Sequence, residues 1–321
     1  CATAKPEFTR EVSMQARKSP DFVVIFPVVR NPYSRMFHGI VTTAKLETSR
    51  SAPLRAKVVP MRPLRLHWSS GKPNFGDWLS PMLCEALSGR PVVHSSPARC
   101  DLIAVGSILH RLPERWWTRP VRVWGTGFIE ERPRASSRHQ YHAVRGHRTA
   151  ALIDAPPPSA FGDPGLLCDL IFPRPAAGGK EHAIGLVPHY KDRDHPWVKR
   201  FVERHPGTQV LNVFDEPRTF LAQLVRCEFV ISSSLHGLVV SDAYGIPNVW
   251  ARLSGGIRGH DFKYLDYYSV FGISEPPVLA IEDEVSGAAL EALARAYQRP
   301  GLEAVKKRLL DAFPFPAGTS P

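Results

Sequence analysis

The chain has 321 residues, 43% of them hydrophobic and 22% charged, and 41 Lys and Arg against 30 Asp and Glu leave a net charge of +11. That length is large for one hydrophobic core and fits two domains. The composition excludes a disordered or collagenous chain, and no apolar run reaches the roughly 18 residues that a membrane span requires.

Residues 1–60 show little regular pattern. An apolar run, Phe22-Val-Val-Ile-Phe-Pro-Val-Val29, reads as a strand and is followed by Arg30-Asn-Pro-Tyr-Ser-Arg-Met-Phe-His-Gly39. The pair resembles the nucleotide-phosphate strand-turn-helix of carbohydrate sulfotransferases. The Lys-bearing phosphate loop that should precede it is absent, so no 3′-phosphoadenosine nucleotide binding is expected. Residues 41–60 read as a linker. Regular patterning starts at Leu64-Arg-Leu-His-Trp68, a strand, and a turn-rich loop then leads into a helix over 78–87 that Gly89 stops. Strands follow at 101–107, 121–127 and 141–144, each with a small-residue or basic exit, then a short helix over 150–153 and the turn Gly162-Asp-Pro-Gly165. Pro173 to Lys180, rich in Pro and Gly, reads as a domain boundary. Beyond it, strands are expected at 182–188, 209–213, 229–231 and 248–251, and helices at 196–204, 216–226 and 262–271. Residues 285–313 carry one or two amphipathic helices, and the tail 314–321 is expected to fray. Repetition of strand, glycine-rich exit and helix implies an α/β fold with mostly parallel sheets. The expected division is an N-terminal segment 1–60, Rossmann-like domains 61–175 and 176–275, and C-terminal helices and tail 276–321.

One stretch carries candidate chemistry. The strand 229–231 runs into Ser232-Ser-Ser234, and His236 stands in the first turn of the helix that follows. Free N–H groups and the positive end of the helix dipole favour an anion there, and an imidazole beside it suggests acid–base chemistry. A serine-capped helix start with a core histidine is the alternative, and spacing alone does not choose. Asp77 reads as an N-cap as readily as a ligand contact. Gly125 and Gly127 suit a tight strand exit or close approach to ligand, and Asp163 reads as a turn residue. His189 and His195 flank a charged loop suited to an acceptor, and Tyr264, Tyr267 and Tyr268 read as core. The 13 histidines and five cysteines show no metal-ligand spacing. An odd cysteine count without a framework points to reduced thiols and a cytoplasmic setting. The chain begins with Cys1 rather than Met, which reads as a missing or processed start, and no hydrophobic signal segment replaces it.

From about residue 64 to 272 the chain resembles the polysaccharide pyruvyltransferase family, in particular the bacterial enzymes that decorate succinoglycan-type exopolysaccharides. The resemblance rests on Asn74-Phe-Gly-Asp77, Val105-Gly-Ser107, Trp124-Gly-Thr-Gly127, Val144-Arg-Gly-His-Arg-Thr149, Gly162-Asp-Pro-Gly165 and Ser233-Ser-Leu-His-Gly237, in family order. It implies two Rossmann-like domains facing a cleft, in a glycosyltransferase-B-like arrangement. It also implies transfer of an enolpyruvyl unit from phosphoenolpyruvate, the co-substrate, to a lipid-linked oligosaccharide or polysaccharide, with no further cofactor and no metal. His236 takes the acid–base position. Arg145 takes one of the arginine positions that hold donor phosphate and carboxylate, with Ser233, Ser234 and Gly237 beside the donor. Ser234 stands where the family has a second arginine, leaving Arg258, Lys263 and Lys191 as replacements. Asn74, Gly76, Asp77, Gly125, Gly127 and His189 line the cleft. The arginine-rich charge suits such anions, or an anionic membrane face at the inner side of the plasma membrane, rather than nucleic acid. A nucleotide-sugar glycosyltransferase would share the fold, but residues 232–237 lack the Glu-bearing loop expected before its donor helix.

Overall fold

The computed structural model describes residues 16–19, 22–25, 62–71, 74–175, 179–259, 261–280 and 285–317. Cys1–Val59 and Pro60–Pro321 are separate compact units. In the first, strand β1 (Ala16–Ser19) pairs antiparallel with β2 (Phe22–Ile25), so the start of the apolar run is a strand. The rest of the sulfotransferase-like stretch, 26–40, lies outside the described residues.

The second unit holds two parallel sheets. Strands β3 (Leu64–His67), β4 (Val92–His94), β5 (Leu102–Ile103), β6 (Arg122–Trp124), β8 (Gln140–Val144) and β10 (Ala160–Phe161) form the first, ordered β10-β8-β6-β5-β3-β4. A small pair, β7 (Ala135–Ser136) with β9 (Ile153–Asp154), stands apart. Strands β11 (His182–Val187), β12 (Thr208–Val210), β13 (Cys227–Ser232), β14 (Asn248–Arg252) and β15 (Val278–Ala280) form the second, ordered β12-β11-β13-β14-β15. Every pairing in both sheets is parallel. In each sheet the second strand in sequence lies outside the first and the later ones run the other way. The order therefore reverses between β3 and β5, and again between β11 and β13. Doubly wound sheets bind ligands beyond the carboxyl ends of their strands at such a reversal.

Helix α1 (Phe75–Ser88) begins three residues earlier than its spacing predicts because Asn74 is the N-cap, its side chain accepting from the Asp77 amide at 3.2 Å. Asp77 is thus an early helical residue, not the cap. Gly89 ends the helix in the left-handed conformation, φ 63°. Next come α2 (His147–Ala151), α3 (Cys168–Ile171), α4 (Pro196–Arg204), α5 (Pro217–Leu224), α6 (Leu235–Ala243), α7 (Phe262–Ser269), α8 (Gly287–Arg295) and α9 (Leu302–Asp311). His195 caps α4, its ring accepting from the Trp197 amide at 3.3 Å.

One buried cluster joins the two sheets. It runs from Leu66, Trp124 and Ala143 of the first, through Leu79 and Leu83 of α1 and Leu238 and Val239 of α6, to Val187 and Val230 of the second. The Phe75 amide also donates to the Val213 carbonyl at 2.8 Å, and Phe75 stacks on Phe220 of α5 at 3.7 Å. Separate clusters cover the outer faces, with Trp197, Phe201 and Leu290 on one sheet and Leu109, Val123 and Val144 on the other. Burial on both faces is why β13 and β14 read as mostly continuous apolar runs rather than alternating ones.

The C-terminal segment does not fray through residue 317. The Leu309 carbonyl accepts from the Trp124 indole at 2.8 Å, Phe313 is buried, and Ala317 donates to the Leu87 carbonyl at 3.1 Å. Phe315 lies under the Arg90 and Arg122 guanidiniums, so an aromatic and two cations hold what composition marks as a loose end.

Candidate active site

The glycine-rich motifs sit at the carboxyl ends of strands and lock into one another. A Cβ at Gly76 would fall 2.0 Å from Nδ1 of His236, so the imidazole occupies the space a side chain would take. A Cβ at Gly125, φ 85°, would fall 2.2 Å from Cδ of Pro164, and one at Gly127 2.7 Å from Cζ of Arg145. One at Gly237 would fall 2.3 Å from Oγ of Ser232. The first three of these glycines are points where one motif presses on another, and Gly237 lets the first turn of α6 close on the end of β13.

His236 projects from the first turn of α6, its side chain 13% exposed. Its Nε2 faces Oδ2 of Asp163 at 3.8 Å, and both atoms are buried without a hydrogen-bond partner. The other oxygen of Asp163 accepts from the Gly165 amide at 2.9 Å, the turn bond that its Gly-Asp-Pro-Gly setting predicts. Read from sequence, Asp163 is only that turn. In the fold its free oxygen points at the imidazole. Burial pushes the wholly inaccessible Asp163 carboxyl up to about 6. Burial also pushes His236 down to about 3, and the positive charges of Lys263 and Arg145 add to that shift. The ring is therefore neutral at physiological pH in the free protein.

Lys263, on α7, is 8% exposed; its ammonium lies 5.0 Å from the centre of the Tyr264 ring and makes no hydrogen bond or ion pair among the described residues. Burial, with Arg145 nearby, lowers it to about 8. His189 follows β11 and is lowered to about 3 by burial and by Lys263 and Lys191. Lys191 itself donates to the Gly256 carbonyl at 2.7 Å. Burial raises Asp77 to about 7 against the pull of Arg111, and its carboxylate accepts from the Asn74 amide group at 2.8 Å.

Arg145, expected to grip the donor, is wholly inaccessible in this structure. Its guanidinium binds Asp266 at 2.9 Å, the Ser107 hydroxyl at 2.5 Å and the Phe128 carbonyl at 2.5 Å. Asp266 also takes the Thr149 amide at 2.7 Å and the Thr149 hydroxyl at 2.6 Å, fastening α2 to α7. Arg145 thus acts on His236 through its charge and on the fold through this clamp.

Ser233 is likewise committed, donating to Asp192 at 2.7 Å and accepting from the His189 amide at 2.9 Å. Ser234 is the N-cap of α6 and makes no capping bond with its side chain. Arg258 is exposed and pairs with Glu130 at 2.8 Å, and it is not among the groups whose charge bears on His236. Of the candidate replacements for the missing arginine, Lys263 is the buried one, and its charge bears on the imidazole. Tyr264, Tyr267 and Tyr268 are core, with the Tyr264 hydroxyl donating to the Ser233 carbonyl at 2.6 Å.

The model of the family described as polysaccharide pyruvyl transferase matches residues 18–253. The chain belongs to that family. An uncharacterized protein, L143, of Acanthamoeba polyphaga mimivirus is 29% identical over 159 residues, 47% of this chain and 55% of that protein. The succinoglycan biosynthesis protein ExoV of Rhizobium meliloti (strain 1021) is 26% identical over 223 residues, 66% of this chain and 66% of that protein. This pyruvyl transferase family chain thus spans less than two thirds of either relative's length. Among the described residues no helix is long and apolar enough to cross a membrane.

Proposed function

We propose that this protein transfers the enolpyruvyl unit of phosphoenolpyruvate to two hydroxyls of a sugar, on a lipid-linked oligosaccharide or polysaccharide, closing a pyruvate ketal and releasing inorganic phosphate. The observation that carries this reading is the imidazole of His236 at the mouth of α6, facing the buried Asp163 carboxyl and within the field of the buried Lys263 ammonium. Phosphoenolpyruvate brings a phosphate and a carboxylate. Lys263, the field of Arg145 and the N–H groups of the first turn of α6 suit one such anion.

The donor also sets the proton inventory. In the free protein His236 is neutral because burial disfavours its charged form and the positive charge of Lys263 and Arg145 adds to that. A bound dianion offsets that charge, so the imidazole takes up a proton as the donor arrives. The imidazolium then gives its proton to C3 of the enolpyruvate while a sugar oxygen bonds to C2. The proton of that hydroxyl returns to His236. In the second stage the C2–O bond to phosphate breaks, the second hydroxyl bonds to C2, and its proton leaves with phosphate. Asp163, facing Nε2, orients the ring and steadies its charged form.

Carbon-labelled phosphoenolpyruvate and a lipid-linked oligosaccharide acceptor test the reading. Labelled ketal on the sugar with release of inorganic phosphate is expected. Nucleoside diphosphate release from a UDP-sugar, with no ketal, would instead identify a glycosyltransferase.

A further inference from the structure

The arginines are dispersed along most of the chain, but four of them fall within twelve residues that hold an unusual turn. Residues 111–122 read Arg-Leu-Pro-Glu-Arg-Trp-Trp-Thr-Arg-Pro-Val-Arg, four arginines and one acid. Arg115 to Thr118 closes a tight turn, the Thr118 amide donating to the Arg115 carbonyl at 2.9 Å. The Thr118 hydroxyl donates to the same carbonyl at 2.6 Å and to that of Pro113 at 3.1 Å, and Arg138 donates to the Trp116 carbonyl. The turn is thus built and braced. Its two corner positions, which usually hold Asn, Asp, Gly, Pro or Ser, hold Trp116 and Trp117, 76% and 62% exposed. No other large apolar side chain among the described residues is as exposed.

Ordered turns rarely hold two indoles in water without a partner. The cations say which partner. Arg115 lies over the Trp117 ring at 5.5 Å, Arg138 is exposed and bonded to the turn itself, and Arg119 is exposed while pairing with Asp101 at 3.2 Å. The one acid, Glu114, is drawn back to within 3.6 Å of His139. Exposed indoles beside arginines match the boundary between lipid headgroups and acyl chains, where the ring is half-buried and the cations meet phosphates. A sugar platform fits less well, since the two rings stand at 87° to each other and offer no shared face.

We propose that the 115–118 turn docks the protein on an anionic phospholipid surface, with Trp116 and Trp117 entering the headgroup layer. The full chain should float with vesicles of phosphatidylcholine and phosphatidylglycerol and not with phosphatidylcholine alone, and salt should weaken that binding. Brominated lipid should quench tryptophan fluorescence. The double variant Trp116→Ala/Trp117→Ala should bind about tenfold less or weaker and lose the quenching, with an unchanged melting temperature because neither ring packs in the core. Failure to bind anionic vesicles, or binding and quenching undiminished in the double variant, would overturn the proposal. So would indole quenching or a blue shift produced by soluble acidic polysaccharide and not by vesicles, which would make the turn a glycan platform.

Discussion

Substituting Gly76 by alanine separates the geometry of the site from its stability. The new methyl would stand 2.0 Å from Nδ1, 2.4 Å from Cγ and 2.8 Å from Cβ of His236. Non-bonded carbon contacts settle at about 3.5–4.0 Å, so the ring or the start of α1 must retreat by about 1–2 Å. Overpacking of this kind costs about 1–3 kcal/mol, and exchanging glycine for alanine in a helix returns at most about 1 kcal/mol. The net loss of about 0–3 kcal/mol lowers the melting temperature by several degrees at most in a unit of this size. Displacing a reacting group by about 1 Å, however, costs roughly 100-fold in rate. Gly76→Ala should therefore stay folded, by circular dichroism and thermal melting, while phosphate release falls about 100-fold. Gly71→Ala, where a Cβ meets nothing within 4 Å, should be indistinguishable from the parent. Full turnover in a folded Gly76→Ala protein would refute the claim that His236 must sit where it does.

Asp163→Asn keeps the turn bond and loses the charge facing His236; turnover should fall by about 100-fold or more. Its effect on stability has the opposite sign. The folded carboxyl sits at about 6 against 3.8 in the unfolded chain, so folding loses stability as pH rises through that window. The penalty is complete above pH 6 at about 3 kcal/mol. The Asn variant should thus melt no lower than the parent at pH 7.5, and a large drop would show that the carboxylate is structural. With Asp163 near 6 and Lys263 near 8, kcat/KM should fall on both sides, as Asp163 is protonated below and Lys263 deprotonated above. Lys263→Met should raise the donor KM about tenfold or more and remove the alkaline limb. Donor binding should take up protons, seen as a dependence of calorimetric heat on buffer ionisation enthalpy, and heat independent of the buffer would contradict the proposed charging of His236.

Much of this was legible from residues and some was not, for physical reasons. Strands such as β11 and β13 and the helix after Ser234 announce themselves by apolar runs and glycine stops. Strands β9 and β10, two residues each, carry no periodicity and exist because neighbours hold them. His236 stood out as a titratable residue at a helix start. Asp163 did not, because its turn role is local and its second role depends on a contact 73 positions away in sequence. Arg145 was visible as a cation in a suitable motif, but Asp266, which claims it, lies in an aromatic helix that reads only as core. Asp77 resembled a cap since Asn74, the actual one, opens the same motif. The tail looked loose because composition cannot show that Phe315 finds two guanidiniums.

The central claim is that the His236 imidazole moves the proton between sugar hydroxyl and enolpyruvate carbon. Run in deuterium oxide, the parent protein should place one deuterium in the methyl group of the pyruvate ketal. His236→Gln should form no ketal while still binding phosphoenolpyruvate. Ketal carrying the same deuterium, made by His236→Gln at near the parent rate, would contradict the claim.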